Sequence, residues 1–539
     1  MSESSAPFET LPDRTLRAGT TRRRFMTWMG VVGGVAFTPQ LLPQRSAHAD
    51  PVAASGNPFT LGVASGDPLP DSVVLWTRLA RTPLQPGGGM PAAPVPVDWE
   101  IASDRGFRTV VQRGSTAAVP EDGHSVHVDV RGLSPATDYF YRFRSGGDVS
   151  PAGRTRTAPA AGSRLAELTF AVISCQAWTD GYFNALGDLA RKSPDVVFHL
   201  GDYVYEYEIK PATVRRPTTE VPQSAWAEMT TLADYRDRYA LYKLDPDLQA
   251  AHRSAPFICA YDDHEVENNW AAGIPEKGQD PAAFIVRRAA AFKAWWENMP
   301  VRAALRPDGP DLRMYRRFEF GDLARFSVLD TRQYRSDQVN NDKDAPQDAA
   351  TADPARTITG GAQESWILDG LGTSGALWNV LAHQTTIADL ARNKGGARNV
   401  SMDGWSGYEA SRARILDGAT RRRAGNLVSI VGDIHRNVVS ELKSTYTSDA
   451  PTVGVELAGT SIASGKDGQD SDDNDKAIKA ASPHVKFGNA QRGYMLNRLD
   501  RREWRAEFHV ADSIASRGLP LHRRAVVTIP SGRPEIHVG

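Results

Sequence analysis

The stretch Tyr261–Trp270, YDDHEVENNW, holds four carboxylates, one histidine and two asparagines in ten residues, directly after the apolar run APFICA. Like charges packed this densely at the end of a buried strand repel one another, and taking them out of water unpaired is costly. A multivalent cation is the usual remedy. The same pairing of an apolar run with polar or metal-type side chains recurs along the chain. LTFAVIS ends at Cys175-Gln176, and DVVFHL is followed by Gly201-Asp202-Tyr203-Val204-Tyr205-Glu206. RFSVLD ends at Asp330-Thr331-Arg332-Gln333, WNVLAHQ at His383-Gln384, and NLVSIVGDIH at Asp433 and His435. In α/β sheets the carboxyl ends of the strands form the binding crevice. Six such ends in one chain point to one shared site.

The spacings have a physical sense. Asp433 and His435 stand at i and i+2, so both face one way if their strand continues. Asp202 and Tyr205, at i and i+3, share a face if the chain turns helically after Gly201. Gly201 and Gly432 free the backbone just before the acids. Singly, an Asp reads as a helix cap and a His as a satisfied core group; the set together reads as a functional site. Carboxylates and a phenolate are hard donors, imidazole suits iron, zinc or manganese, and thiolate is soft. A mixture of Cys, Tyr, Asp and His fits iron at one position, and oxygen-rich neighbours fit calcium or magnesium at another. Cys175, where a strand stops, reads as a ligand rather than half of a disulfide. Cys259 reads as a small buried apolar residue.

The elements that must carry these residues fall into three segments. Residues 1–49 read as a twin-arginine export signal: Thr21, Arg22, Arg23 and Phe25 precede the apolar run VVGGVAF, and Ala47-His48-Ala49 is a small-x-small cleavage pattern. That run is too short to span a bilayer permanently. Losing its six Arg and three acids takes the net charge from −1 to −4. Residues 50–160 alternate in short runs such as SVVLWTRL, VPVDWEIA and TDYFYRFRSG, separated by turn-rich pieces, and predict an all-β domain of the Ig or fibronectin sandwich kind. Thr157–Arg164 reads as a linker. Residues 161–539 alternate strands with helices, among them AWAEMTTLADYRDRYALYKL and DPAAFIVRRAAAFKAWWENMP, and predict an α/β domain with both sheet faces covered.

The bulk numbers exclude several classes. With 41% hydrophobic and 24% charged residues the chain is neither disordered nor collagen-like. A net charge of −1 without a basic face argues against a nucleic-acid-binding module. KDGQDSDDNDKA lacks a glycine and a glutamate at EF-hand spacing and reads as a solvated loop, and TRRRAG as a solvated helix end. There is no Gly-x-Ser-x-Gly elbow for a serine nucleophile.

SCQ, GDYVYEY, DDHEVENN, LDTRQYR and GDIH, in this order, resemble the PhoD-like alkaline phosphatases of the calcineurin-like metallophosphoesterase superfamily. FTLGVASGDPLPDSVVLWTRL resembles the family's N-terminal β domain, and GAQESWILDGL and VELAGTSIASG its later blocks, so the likeness spans nearly the whole mature chain. It implies a four-layer α/β/β/α catalytic sandwich holding Fe3+ and Ca2+. It also implies roles: Cys175 and Tyr205 on iron, Asp202 bridging metals, Asp263 where the superfamily usually has a metal-binding asparagine, and Asp433 and His435 as the last ligands. His264 and Arg332 would act on the phosphate, with Asn269 and Gln384 as neighbours. The reaction implied is hydrolysis of phosphate monoesters or diesters by metal-activated water in an exported, periplasmic or extracellular enzyme without a transmembrane helix. The alternatives are a phospholipase D-type phosphodiesterase, a calcium-dependent binding protein, and an iron oxidoreductase, for which no 2-His-1-carboxylate spacing speaks.

Overall fold

The computed structural model describes residues 56–217, 221–276 and 278–539, so the export signal expected at 1–49 lies outside the described residues. Two large sheets make a mixed α/β body. In the first, of ten strands, Glu167–Ile173, Val196–Leu200 and Phe257–Ala260 run parallel at the centre. Parallel strands buried on both faces read as unbroken apolar runs, which FICA is and VVFHL is apart from the buried His199. The helix Asn184–Lys192 lies between the first two in the chain, and the helices Leu232–Lys243 and Pro246–Ser254 precede the third. In the second sheet, of seven strands, Ala324–Val328, Trp378–Ala382, Leu427–Val431 and Gly454–Ala458 are parallel neighbours. Helices Gly360–Gly372 and Glu409–Arg421 provide crossovers.

The sheets meet through aromatic side chains. Phe198 stacks on Phe326 at 4.5 Å between ring centroids, Phe170 meets Phe326 edge-on at 5.2 Å, and Trp378 meets Trp504 edge-on at 5.7 Å. Offset and edge-on rings of this kind add to the apolar area they bury.

The N-terminal region shares the first sheet. Val63–Leu69, Ser72–Arg78 and Ser125–Arg131 extend it beyond Phe257–Ala260, with Gly66 paired in parallel to Phe257. A Cβ at Gly66 would sit 2.2 Å from the Pro300 carbonyl oxygen and 2.5 Å from that of Phe257, so only glycine allows this junction. A separate five-stranded sheet contains Val95–Ala102, Val110–Ala118 and Asp138–Ser145. Val73, Leu75, Val97, Ile101, Tyr141 and Phe143 form the local core of this region.

One helix is shorter than its periodicity suggested. Within AWAEMTTLADYRDRYALYKL only Leu232–Lys243 is α-helical, because Thr231 and Asp234 close a reciprocal capping box that fixes the start. Pro281–Asn298 forms as expected, with Asp280 capping its first amides and proline in the first turn. Among the described residues no helix is long and apolar enough to cross a membrane.

Candidate metal centre

The turns that follow the strands place the donors. Cys175, Asp202, Asn269, Asp433 and His435 all hold left-handed backbone, with φ of 58°, 56°, 49°, 63° and 53°. Each such non-glycine residue costs about 1–3 kcal/mol, and this strain gathers at ligand sites when the surroundings over-determine it. The ligand loops also touch: a Cβ on Gly201, itself at φ 108°, would lie 2.4 Å from the Asp262 Cβ.

Three sets of donor atoms result, each within 4.8 Å: Cys175, Asp202 and His435; Asp202, Asp263 and His264; Asp262, Asp263 and Asp433. Asp202 and Asp263 each belong to two sets, the placement of bridging carboxylates. Tyr205 completes the first set, its hydroxyl 3.0 Å from Asp202 Oδ2 and 3.2 Å from His435 Nε2. Asp202 Oδ1, Asp262 Oδ2 and Asp263 Oδ1 are buried without any hydrogen-bond partner. Buried polar atoms are nearly always paired, so three orphaned carboxylate oxygens in one place fit a cation.

The electrostatics agree. Burial, then the neighbouring acids, pushes Asp202 and Asp433 well above the carboxylate range. Burial likewise lifts the Cys175 thiol and the Tyr205 phenol, with Asp202 adding to both. His264 moves the other way from what burial alone would do: Asp263, Glu206 and Asp202 outweigh it and raise the imidazole well above its ordinary value. Burial, with Arg492, drops His435 to about 3, leaving the neutral imidazole a metal needs.

Arg332 is fully buried among these acids. Its Nε donates to Asp262 at 2.5 Å and Nη1 to Asp403 at 2.7 Å, while Nη2 lies 3.5 Å from Asp263 and 3.6 Å from Asp433. It is thus an internal counter-charge to the ligand carboxylates. The Asn269 amide N–H donates to Asp263 Oδ2 at 2.8 Å and its side chain to Asp342 at 2.5 Å. Gln384 stands apart: its oxygen accepts from Thr331 and its nitrogen donates to the Leu329 carbonyl, so both ends serve the turn beside it. His383 is bonded to Ser429 and Asp330 to Tyr261 and Gln333, away from the donors. Of the six strand ends, four deliver candidate ligands, one delivers Arg332, and the His383-Gln384 end delivers none.

The face-sharing argument for Asp433 and His435 fails in detail. Their strand stops at Val431, and left-handed turns at both residues send Asp433 to the Asp262–Asp263 set and His435 to the Cys175 set. Asp202 and Tyr205 do meet, but across a left-handed turn rather than a helical one. Both cysteines are free.

Sequence reasoning assigned no role to Glu206 and Asp403, and read Glu265, with Asp262 and Glu267, as hydrogen-bond partners of the candidate ligands. Glu206 accepts from His264 Nδ1 and from the Asn268 amide, both at 2.8 Å. The Glu265 carboxylate accepts the amides of Asp202, Tyr203 and Asp262 at 3.1, 2.6 and 2.7 Å, which ties two ligand loops together. Their place in acidic strand-end motifs was a signal for both. Asp403, in SMDGW, carried none. At the rim, Tyr207 is 47% exposed and meets the His264 ring edge-on, and a cavity of about 260 Å³ lined by Arg392, Arg436 and Thr386 adjoins Asp433.

Two parallel-cored sheets whose loops converge on carboxylate, thiol, phenol and imidazole groups define an α/β protein with a candidate metal centre. Residues 170–508 match the family described as PhoD-like phosphatase, and residues 45–159 match PhoD-like phosphatase, N-terminal domain. Alkaline phosphatase D of Bacillus subtilis (strain 168) is 44% identical over 509 residues, covering 94% of this chain and 86% of that one. A solved structure of PhoD, also 44% identical, aligns with a TM-score of 0.86 over 90% of this chain and 92% of that one. The chain belongs to the PhoD-like phosphatase family.

Proposed function

We propose that this phosphoesterase cleaves phosphate monoesters, diesters or both at the convergent centre. Cys175, Asp202, Tyr205 and His435 would hold Fe3+, and Asp202, Asp262, Asp263 and Asp433 would hold Ca2+. The observation that carries this reading is three buried carboxylate oxygens without a hydrogen-bond partner, on Asp202, Asp262 and Asp263, the first of them grouped with the Cys175 thiol and the His435 imidazole. Bound cations supply Lewis acidity and lower the pKa of water at phosphorus, so no serine nucleophile is required.

The chain's own groups divide the remaining work. His264, oriented through Nδ1 by Glu206, which also favours its protonated form, presents its other ring nitrogen to the substrate, where it stabilises or protonates the departing oxygen. Arg332 holds Asp262 and Asp263 in place and favours their charged forms, but burial still lifts Asp262 to about 7 while Asp263 falls below the usual carboxylate range; its complete burial speaks against a direct phosphate contact. The paired sheets support the α/β/β/α layering implied by the resemblance, and the N-terminal family match supports a β domain at 50–160. Export by the twin-arginine machinery to a periplasmic or extracellular site rests on residues 1–49 of the sequence.

The test compares p-nitrophenyl phosphate, bis-p-nitrophenyl phosphate and phosphatidylcholine as substrates of the metal-replete protein, with metal content measured before and after chelation. Hydrolysis of either soluble ester that disappears on chelation supports the proposal. Turnover confined to the phospholipid makes the protein a phospholipase D-type diesterase. No hydrolysis of any ester overturns the proposal in favour of a calcium-dependent binding protein.

A further inference from the structure

The hydroxyl of Ser464 lies 2.6 Å from the phenol oxygen of Tyr205, although 259 positions separate them in the chain. Ser464 is almost fully buried. Its oxygen accepts the amide N–H of Ala177 at 3.1 Å. Each hydroxyl has a single hydrogen, and the phenol's is directed to Asp202 Oδ2 at 3.0 Å, so the hydrogen between the two hydroxyls is the serine's. Ser464 is therefore the donor and Tyr205 the acceptor. The phenol's own hydrogen is left for Asp202 Oδ2 or His435 Nε2, at 3.0 and 3.2 Å, which are the other donors of the same set.

The serine is held rigidly to the strand end it serves. Its carbonyl accepts from the Ser461 hydroxyl at 2.7 Å and from Arg492 Nη1 at 2.5 Å. The amides of Ala463 and Ser464 both donate to the Cys175 carbonyl at 3.3 Å. A cation that replaced the phenol hydrogen would take the place of a proton now shared with Asp202 and His435.

We propose that Ser464 is a positioning residue that donates a hydrogen bond to Tyr205 as a phenolate and thereby sets the strength with which that oxygen binds a ferric ion. The proposal rests on Tyr205 being an iron ligand. A hydrogen bond to an ionised oxygen is about twice as strong as one to a neutral oxygen, so the contact strengthens as the phenol gives up its proton. It also withdraws electron density from the phenolate, which raises the energy of charge transfer from tyrosinate to ferric iron. Partners of ligands, placed like this, typically change metal affinity by 10–100-fold when removed.

The full chain, loaded with ferric iron, tests this through the visible charge-transfer band, the tyrosinate modes in resonance Raman, and the rate of iron loss to a chelator. The wild type shows a band with tyrosinate modes, and Tyr205→Phe abolishes those modes. In Ser464→Ala the band moves to longer wavelength and iron is lost about 10-fold or more faster. Ser464→Thr, which retains a hydroxyl donor, restores both. Ser464→Cys, a weaker donor of similar size, gives a smaller shift in the same direction and serves if the alanine variant does not fold. An unchanged band and unchanged iron retention in Ser464→Ala or Ser464→Cys overturn the role of Ser464 while leaving Tyr205 as a ligand. Ferric wild type without tyrosinate modes overturns both.

Discussion

His264 and Glu206 show how a single residue's environment decides what it can do. Burial alone would lower the imidazole's pKa, yet Asp263, Glu206 and Asp202 raise it well above the ordinary value. Glu206 is fixed in turn by the Asn268 amide. Glu206→Gln should lower kcat for p-nitrophenyl phosphate by roughly 100-fold, the range of a positioned general acid, with KM little changed; steady-state kinetics checks this. Asp202→Ala removes a donor common to two sets and should abolish turnover and lower bound metal together, measured on protein that retains its circular dichroism. At this scale the side chains that the candidate site gathers were largely legible, because donor types of the kind cations take stand out after apolar runs. Gln384 carried the same signature and is spent on the turn at Thr331. Asp403 carried no signature and pairs with both Arg332 and Arg335. A side chain's direction is settled by packing that a local motif does not contain.

At the scale of elements, the strand-end loops matter more than the strands. The apolar runs announced the parallel strands, since only strands buried on both faces read that way. The positive φ values at Asp433 and His435 were not legible, because nothing in GDIH distinguishes a continuing strand from a left-handed turn. Gly201 is where two loops come closest. Gly201→Ala places a methyl against Asp262 and keeps a φ that disfavours it, so it should cost about 1–3 kcal/mol, read as a lower denaturation midpoint with reduced metal retention. Glu265 ties the same loops through three amides. In Glu265→Gln one acceptor oxygen becomes an NH2 group facing a backbone donor, a loss of about 1–3 kcal/mol that equilibrium unfolding would report.

For the whole molecule, the contact between the N-terminal region and the helices beside the first sheet sets a pH dependence. Lys243 is buried with its amine 4.1 Å from the Trp76 ring centroid and 3.0 Å from the Tyr203 hydroxyl. Burial lowers its pKa from 10.5 to about 7. The folded state therefore binds fewer protons here than the unfolded chain between these values, so stability rises with pH across that window and is lost as pH falls through 7. Relative to Lys243→Met, which lacks this titration, the wild type should gain on the order of a few kcal/mol between pH 7 and 10.5, measured by denaturant unfolding at fixed ionic strength. The sequence suggested a β domain joined by a linker; that its strands extend the first sheet depends on the close approach at Gly66, a long-range pairing no local pattern encodes.

The order of strands in that sheet has a consequence for biosynthesis. Glu167–Ile173 is flanked by Val196–Leu200 on one side and by Arg492–Asp500 on the other. A ribosome must therefore release nearly the entire polypeptide before this strand finds its second neighbour. His435 likewise emerges long after Cys175 and Asp202. A metal ion captured during translation would meet only part of the candidate donor set, so its insertion belongs to the finished chain.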